Sequence, residues 1–202
     1  MFTIVSLAIT LFLVINSLGM APALISFIAD FPRAKQRSIL LREAFFAFVL
    51  TLVFAFIGRY FFAWLNVTQP AVQVSGGLIL FFIALRMIFP QLKGKDQQIS
   101  KSEEPFIVPI ATPMLAGPAV LATVMIESTQ VPSHVILFSA IIIAFAATTA
   151  VLIAVCYLQK VIGARGLNAL EKLMGLILTL LAVQMLLKGA ESFVLNTMQP
   201  IG

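Results

Sequence analysis

Charge is scarce in this chain. Only 10% of its 202 residues are charged, against 61% hydrophobic, whereas an average soluble domain carries roughly 25% charged residues. With mean hydropathy +1.08, too little polar surface exists to cover a globule in water, so lipid is the solvent for most of the chain. Cys156 is the single cysteine and lies in an apolar stretch, which excludes an intramolecular disulfide and a cysteine-cluster metal site. His134 is the single histidine, and His-Glu-x-x-His, Gly-x-Ser-x-Gly and the phosphate-binding Gly-Lys-Ser/Thr loop are all missing. Zinc proteolysis, serine hydrolysis and ATP use therefore lack their signatures, and the sequence reads as a non-enzyme without a cofactor or bound metal. A net charge of +5 would suit nucleic acid, but the basic residues are spread thinly between apolar blocks and form no patch.

A helix rises about 1.5 Å per residue and the hydrocarbon core is about 30 Å thick, so a span takes roughly 20 apolar residues. Six blocks qualify: 1–29, 39–65, 70–89, 105–126, 134–158 and 171–193. The expected fold is all-α, one membrane domain of six spans, with residues 1–90 and 105–202 as halves and 91–104 as a polar cytoplasmic linker. The first block has no basic residue ahead of its apolar run and no small-residue cleavage site, and is expected to be a retained span.

All of the 13 Lys and Arg residues except Arg59 and Lys188 fall after the first, third and fifth spans or at their edge. The positive-inside rule then places both termini outside the cytoplasm, in the periplasm of a bacterial inner membrane. An internal repeat accompanies this topology: Gly77-Leu78-Ile79-Leu80 recurs as Gly175-Leu176-Ile177-Leu178, in register with Ala84 and Ala182, then Met87 and Met185. Each half holds three spans, an odd number, so the second half must enter the bilayer from the opposite side. That is an inverted-topology repeat, an architecture shared by many secondary transporters.

Proline and glycine interrupt two spans. Asn16-Ser17-Leu18-Gly19-Met20-Ala21-Pro22 falls mid-way through a first block that would reach about 44 Å as a straight helix, too long for the bilayer. Thr112-Pro113-Met114-Leu115-Ala116-Gly117-Pro118 holds the corresponding place in the second half, preceded by Pro105 and Pro109. Each break frees backbone donors and acceptors that lipid cannot satisfy, so it must face protein or a wet cavity. Paired breaks point to a solute site in which half-helix N-termini attract an anionic group and free carbonyls a cationic one. The residues expected to line it are Asn16, Ser17, Gly19 and Pro22 with Thr112, Pro113, Gly117 and Pro118. Proline kinks that only aid packing are the plainer alternative.

Ser75, Gly76, Gly77 and Thr148 could extend the lining, although small residues more simply let helices approach closely. Gln73 and Gln184 read as helix-bridging amides, and Glu127 and His134 as groups near an outer loop. Neither broken block contains a charged side chain. A solute held there would meet dipoles and neutral polar groups, which suits a small zwitterion better than an ion.

The segments NSLGMAP, SGGLILFFIALRM, TPMLAGP and LEKLMGLILTLLAVQM resemble the MarC family of bacterial inner-membrane proteins, most like its YhgN-like branch, over nearly the whole chain. The resemblance implies six spans and, for some relatives, transport or export of small neutral amino acids. One departure stands at Ser17, where the family usually has proline; it predicts a milder first break, with the Ser17 hydroxyl bending the helix by bonding a carbonyl one turn back. A secondary carrier of small neutral amino acids is the leading expectation, against a non-transporting scaffold or partner subunit, or a passive channel. The expected partners are the bilayer and a zwitterionic solute; the sequence leaves a coupling ion and a homo-oligomer open.

Overall fold

The computed structural model describes residues 2–65, 67–89, 110–131 and 133–198. The polar linker 91–104, Pro105 and Pro109 lie outside them. Helix α1 (Phe2–Ile15) and helix α2 (Ala21–Ile28) divide the first apolar block. Helix α3 (Arg33–Leu65) and helix α4 (Gln69–Ile88) follow, then a short π-type stretch (Ile110–Leu115), helix α5 (Pro118–Gln130) and helix α6 (His134–Met198). Every element among the described residues is helical, which agrees with the expected class.

Four stretches are long and apolar enough to cross a membrane: Arg33–Gly58, Gln69–Ile88, His134–Val155 and Arg165–Leu195. The last two belong to α6, which breaks where Gly163 takes φ 66°, ψ 174°. That left-handed conformation is easy for glycine and strained for other residues, so Gly163 is where one apolar run can turn into the next. Bulky side chains such as Phe45, Phe56, Trp64, Phe82 and Leu180 point outward. In water this would be an aggregating surface; against lipid it is the expected exterior.

The first break is complete, and its cause differs from the one expected of Ser17. Asn16 adopts φ 57° and closes α1, a left-handed conformation that asparagine tolerates better than most side chains. The Ser17 hydroxyl is buried without a partner, so the predicted bond to a carbonyl one turn back is not made. Pro22 then stands in the first turn of α2 and Pro118 in the first turn of α5. A proline in the first turn costs no intrahelical bond, because that N–H has no partner there anyway. Both prolines thus restart helices instead of bending them.

Packing follows the repeat. A Cβ built on Gly77 would lie 3.1 Å from the Ala182 carbonyl oxygen and 3.1 Å from Met185 Cβ. One built on Gly175 would lie 3.2 Å from the Ala84 oxygen and 3.0 Å from Met87 Cβ. Moving either set by the repeat spacing generates the other, so the two duplicated segments grip each other reciprocally. A second correspondence links α3 with the first part of α6. Leu40, Ala44, Ala47, Thr51 and Ala55 are buried, as are Leu137, Ile141, Ala144, Thr148 and Leu152 in the same order and spacing. At the matching positions Phe48 and Phe145 meet edge to face, with ring centroids 5.5 Å apart.

Candidate solute-binding site

Asn16 and Ser17 are 1% and 0% exposed. The Asn16 amide donates from Nδ2 to Met87 Sδ at 3.1 Å, leaving Oδ1 without a partner, and Ser17 Oγ also has none. Gly19 completes the cluster, since any side chain there would run into Met87 Cε and the Asn16 carboxamide. Met87 therefore ties the first break to α4.

The second break is arranged differently. Thr112 is extended (φ −134°, ψ 128°) and the Thr112–Pro113 bond is cis. Gly117 is extended as well, and a Cβ on it would stand 2.6 Å from the Pro113 carbonyl oxygen. Thr112, Pro113, Gly117 and Pro118 thus form one tight corner at the head of α5. Gly76 seats α4 against α5, with Ala122 Cβ 2.9 Å from its added Cβ, while Gly77 seats α4 against α6. Thr148 is fully buried and its hydroxyl lacks a partner. Ser75 is exposed and donates to the Ala71 carbonyl at 2.7 Å, so the structure does not bring it to either break.

Two features were not among the expected site residues. The first is Glu43, fully buried in α3, whose Oε1 accepts from Arg42 Nε and Nη2 at 3.1 Å each while Oε2 has no partner. A carboxylate inside an apolar run is costly to bury and therefore informative. Its sequence signal was an acidic residue directly after Arg42 at the start of a phenylalanine-rich span.

The second is a cavity of about 510 Å³ between elements of both halves, within the usual range of about 300–1,000 Å³ for small-molecule sites. From α1 it takes Thr3, Ser6 and Thr10, from α4 Gln73, and from α5 Thr123, Glu127 and Gln130. The stretch of α6 after Gly163 adds Gln184, Met185 and Lys188. Thr10 donates to the Ser6 carbonyl at 3.1 Å and Thr123 to the Ala119 carbonyl at 2.8 Å. With those protons engaged, the two hydroxyls offer lone pairs to the cavity. Burial pushes the Glu127 carboxyl above its ordinary range, the Lys188 charge opposes that shift, and no ion pair joins the two among the described residues. In the sequence Gln73 and Gln184 read as helix-bridging amides and Glu127 as a group near an outer loop, and nothing in their spacing shows that they converge.

Comparison with known proteins finds relatives that are named as membrane proteins. No solved structure matches the chain. Over 193 residues it is 41% identical to a UPF0056 membrane protein of Buchnera aphidicola subsp. Baizongia pistaciae, covering 94% of this chain and 97% of the relative. It is 40% identical over 189 residues to the UPF0056 inner membrane protein YhgN of Escherichia coli (strain K12), covering 92% and 95%. A UPF0056 membrane protein of Chlamydia pneumoniae is 32% identical over 190 residues, covering 94% of each. Residues 1–194 match the family described as MarC family integral membrane protein. This chain belongs to the MarC family of integral membrane proteins.

Proposed function

We propose that this protein is a secondary carrier of small neutral amino acids in the bacterial inner membrane, built as two inverted three-span halves with both termini in the periplasm. The observation that carries the reading is the pair of helix breaks at corresponding positions, each restarted by a proline, with Asn16 Oδ1 and Ser17 Oγ buried and unpartnered at the first. Native interiors leave few buried polar atoms unpaired, so each such group calls for a functional or structural reason. Interrupted helices facing each other across a repeat are the usual seat of solute and coupling ion in such carriers. The reciprocal grip of Gly77 on Ala182 and Gly175 on Ala84 supports a pseudo-two-fold relation between the halves.

The first block and residues 110–126 contain no charged side chain, so a solute entering the breaks must bring balanced charge. A zwitterion does, with its carboxylate toward a half-helix N-terminus and its ammonium toward free carbonyls. In this reading Asn16, Ser17, Gly19, Pro22, Thr112, Pro113, Gly117 and Pro118 surround the midplane position, with Gly76, Gly77 and Thr148 behind them.

Purified protein in liposomes should take up alanine, glycine or serine with saturation and counterflow. Asn16→Leu and Gly117→Leu should abolish uptake while the protein stays folded. Uptake without saturation or counterflow would make it a channel, and no uptake at all a scaffold; preference for lysine or glutamate over alanine would refute the charge argument.

A further inference from the structure

The cavity beneath Glu127 and Lys188 has a charge pattern that the paired breaks lack. Its lining places one carboxylate and one ammonium on different helices, α5 and α6. They are near enough to interact electrostatically, but no ion pair closes between them. The two groups share a partly desolvated space without touching, and neither has an ion-pair partner among the described residues. A molecule carrying both signs would supply both partners at once.

The neutral groups around them fit the same ligand. Gln73 is 7% exposed, and its amide makes no hydrogen bond to another described residue. Its polar atoms are not sealed in protein, since they are absent from the buried unpartnered set. Each glutamine amide supplies two donors and an acceptor, and the Thr10 and Thr123 hydroxyls supply acceptors alone. Donors for a carboxylate and acceptors for an ammonium are thus both present.

We infer that this cavity is a binding site for a zwitterionic α-amino acid, with the ligand's ammonium held by Glu127 and its carboxylate by Lys188. Its lining includes none of the break residues and runs along α1 from Thr3 to Val14 and along the second half of α5 from Thr123 to Gln130. It rests on the reading of the chain as an amino-acid carrier and adds the place where the solute is first captured. Selectivity follows from charge count. A cationic amino acid brings a second ammonium and an anionic one a second carboxylate, and the cavity offers one counter-charge of each sign.

Calorimetric titration of the purified, detergent-solubilised protein with L-alanine, propionate and ethylamine tests the site. Alanine should bind about ten- to a hundredfold more tightly than either half-molecule, since each charge-assisted contact is worth about that factor. Glu127→Gln should weaken alanine and ethylamine by a similar factor and leave propionate unchanged; Lys188→Gln should weaken alanine and propionate and leave ethylamine unchanged. Glu127→Asp and Lys188→Arg keep the charges and should keep alanine binding. Alanine affinity that survives both glutamine substitutions, or the absence of alanine binding to the native protein, would overturn the assignment. Failure of the carrier reading looks different: the expected binding pattern would persist in a protein that moves nothing across liposomes. Alanine uptake unaffected by either glutamine variant would instead remove the site and leave the carrier.

Discussion

If the duplicated glycines hold α4 against the final stretch of α6, then Gly77→Ala and Gly175→Ala must destabilise the protein, and by similar amounts. Two effects oppose each other. Alanine is the better helix former, favouring each variant by about 0.5–1 kcal/mol. Against that, the new methyl at residue 77 would meet the Ala182 oxygen, Met185 Cβ and Leu186 Cγ, all at 3.1 Å. At residue 175 it would meet the Ala84 oxygen at 3.2 Å, with Met87 Cβ and Ile88 Cγ1 at 3.0 Å. Carbon contacts prefer about 3.5–4.0 Å, and a helix carbonyl cannot retreat unless its helix moves. Overpacking of this kind costs typically about 1–3 kcal/mol, so with an unyielding carbonyl the steric term wins and the net loss is up to about 2.5 kcal/mol at each site. The double variant should lose less than the sum, because one separation of the two helices relieves both clashes. Unfolding of the purified protein in mild detergent, followed by circular dichroism, measures all three. A stability gain in either single variant would show that the glycines are not tightly packed. A loss in one with none in the other would break the reciprocity on which the two-fold reading depends.

Gly163→Ala tests a different physical cause: nothing lies within 4 Å of the added methyl, but φ is 66°, so a loss of about 1–2 kcal/mol is expected from the backbone alone. The same unfolding assay reads it, and an unchanged midpoint would mean that the break in α6 does not need the left-handed conformation. Topology is checked with single cysteines in a Cys156→Ala background. Cysteines near Lys95 and Arg165 should resist an impermeant thiol reagent in intact cells while those near Asn66 and Ser133 label; labelling of the Lys95 region from outside would reverse the assigned orientation.

Composition and spacing were enough to assign a helical membrane protein, because in lipid every backbone group must be satisfied within helices and few charges can be tolerated. The break at residues 16–22 was legible from Gly19, Pro22 and the excess length of the block, and the duplicated segments from the shared Gly-Leu-Ile-Leu run. These are local properties, readable along one dimension. What closes the first helix was not: Ser17 drew attention by standing where the family has proline, whereas the left-handed turn belongs to Asn16, whose amide is held by Met87 from a distant helix. The correspondence of Phe48 with Phe145 was equally hidden, since the two segments share a burial pattern more than they share residues. The cavity shows the limit most clearly. Gln73, Glu127, Gln184 and Lys188 are scattered polar residues in the chain, each with an ordinary local explanation, and only the packing of α1, α4, α5 and α6 turns them toward one space. Sequence periodicity tells which face of a helix avoids lipid, but which polar groups meet on those faces depends on relative helix position, which tertiary contacts alone decide.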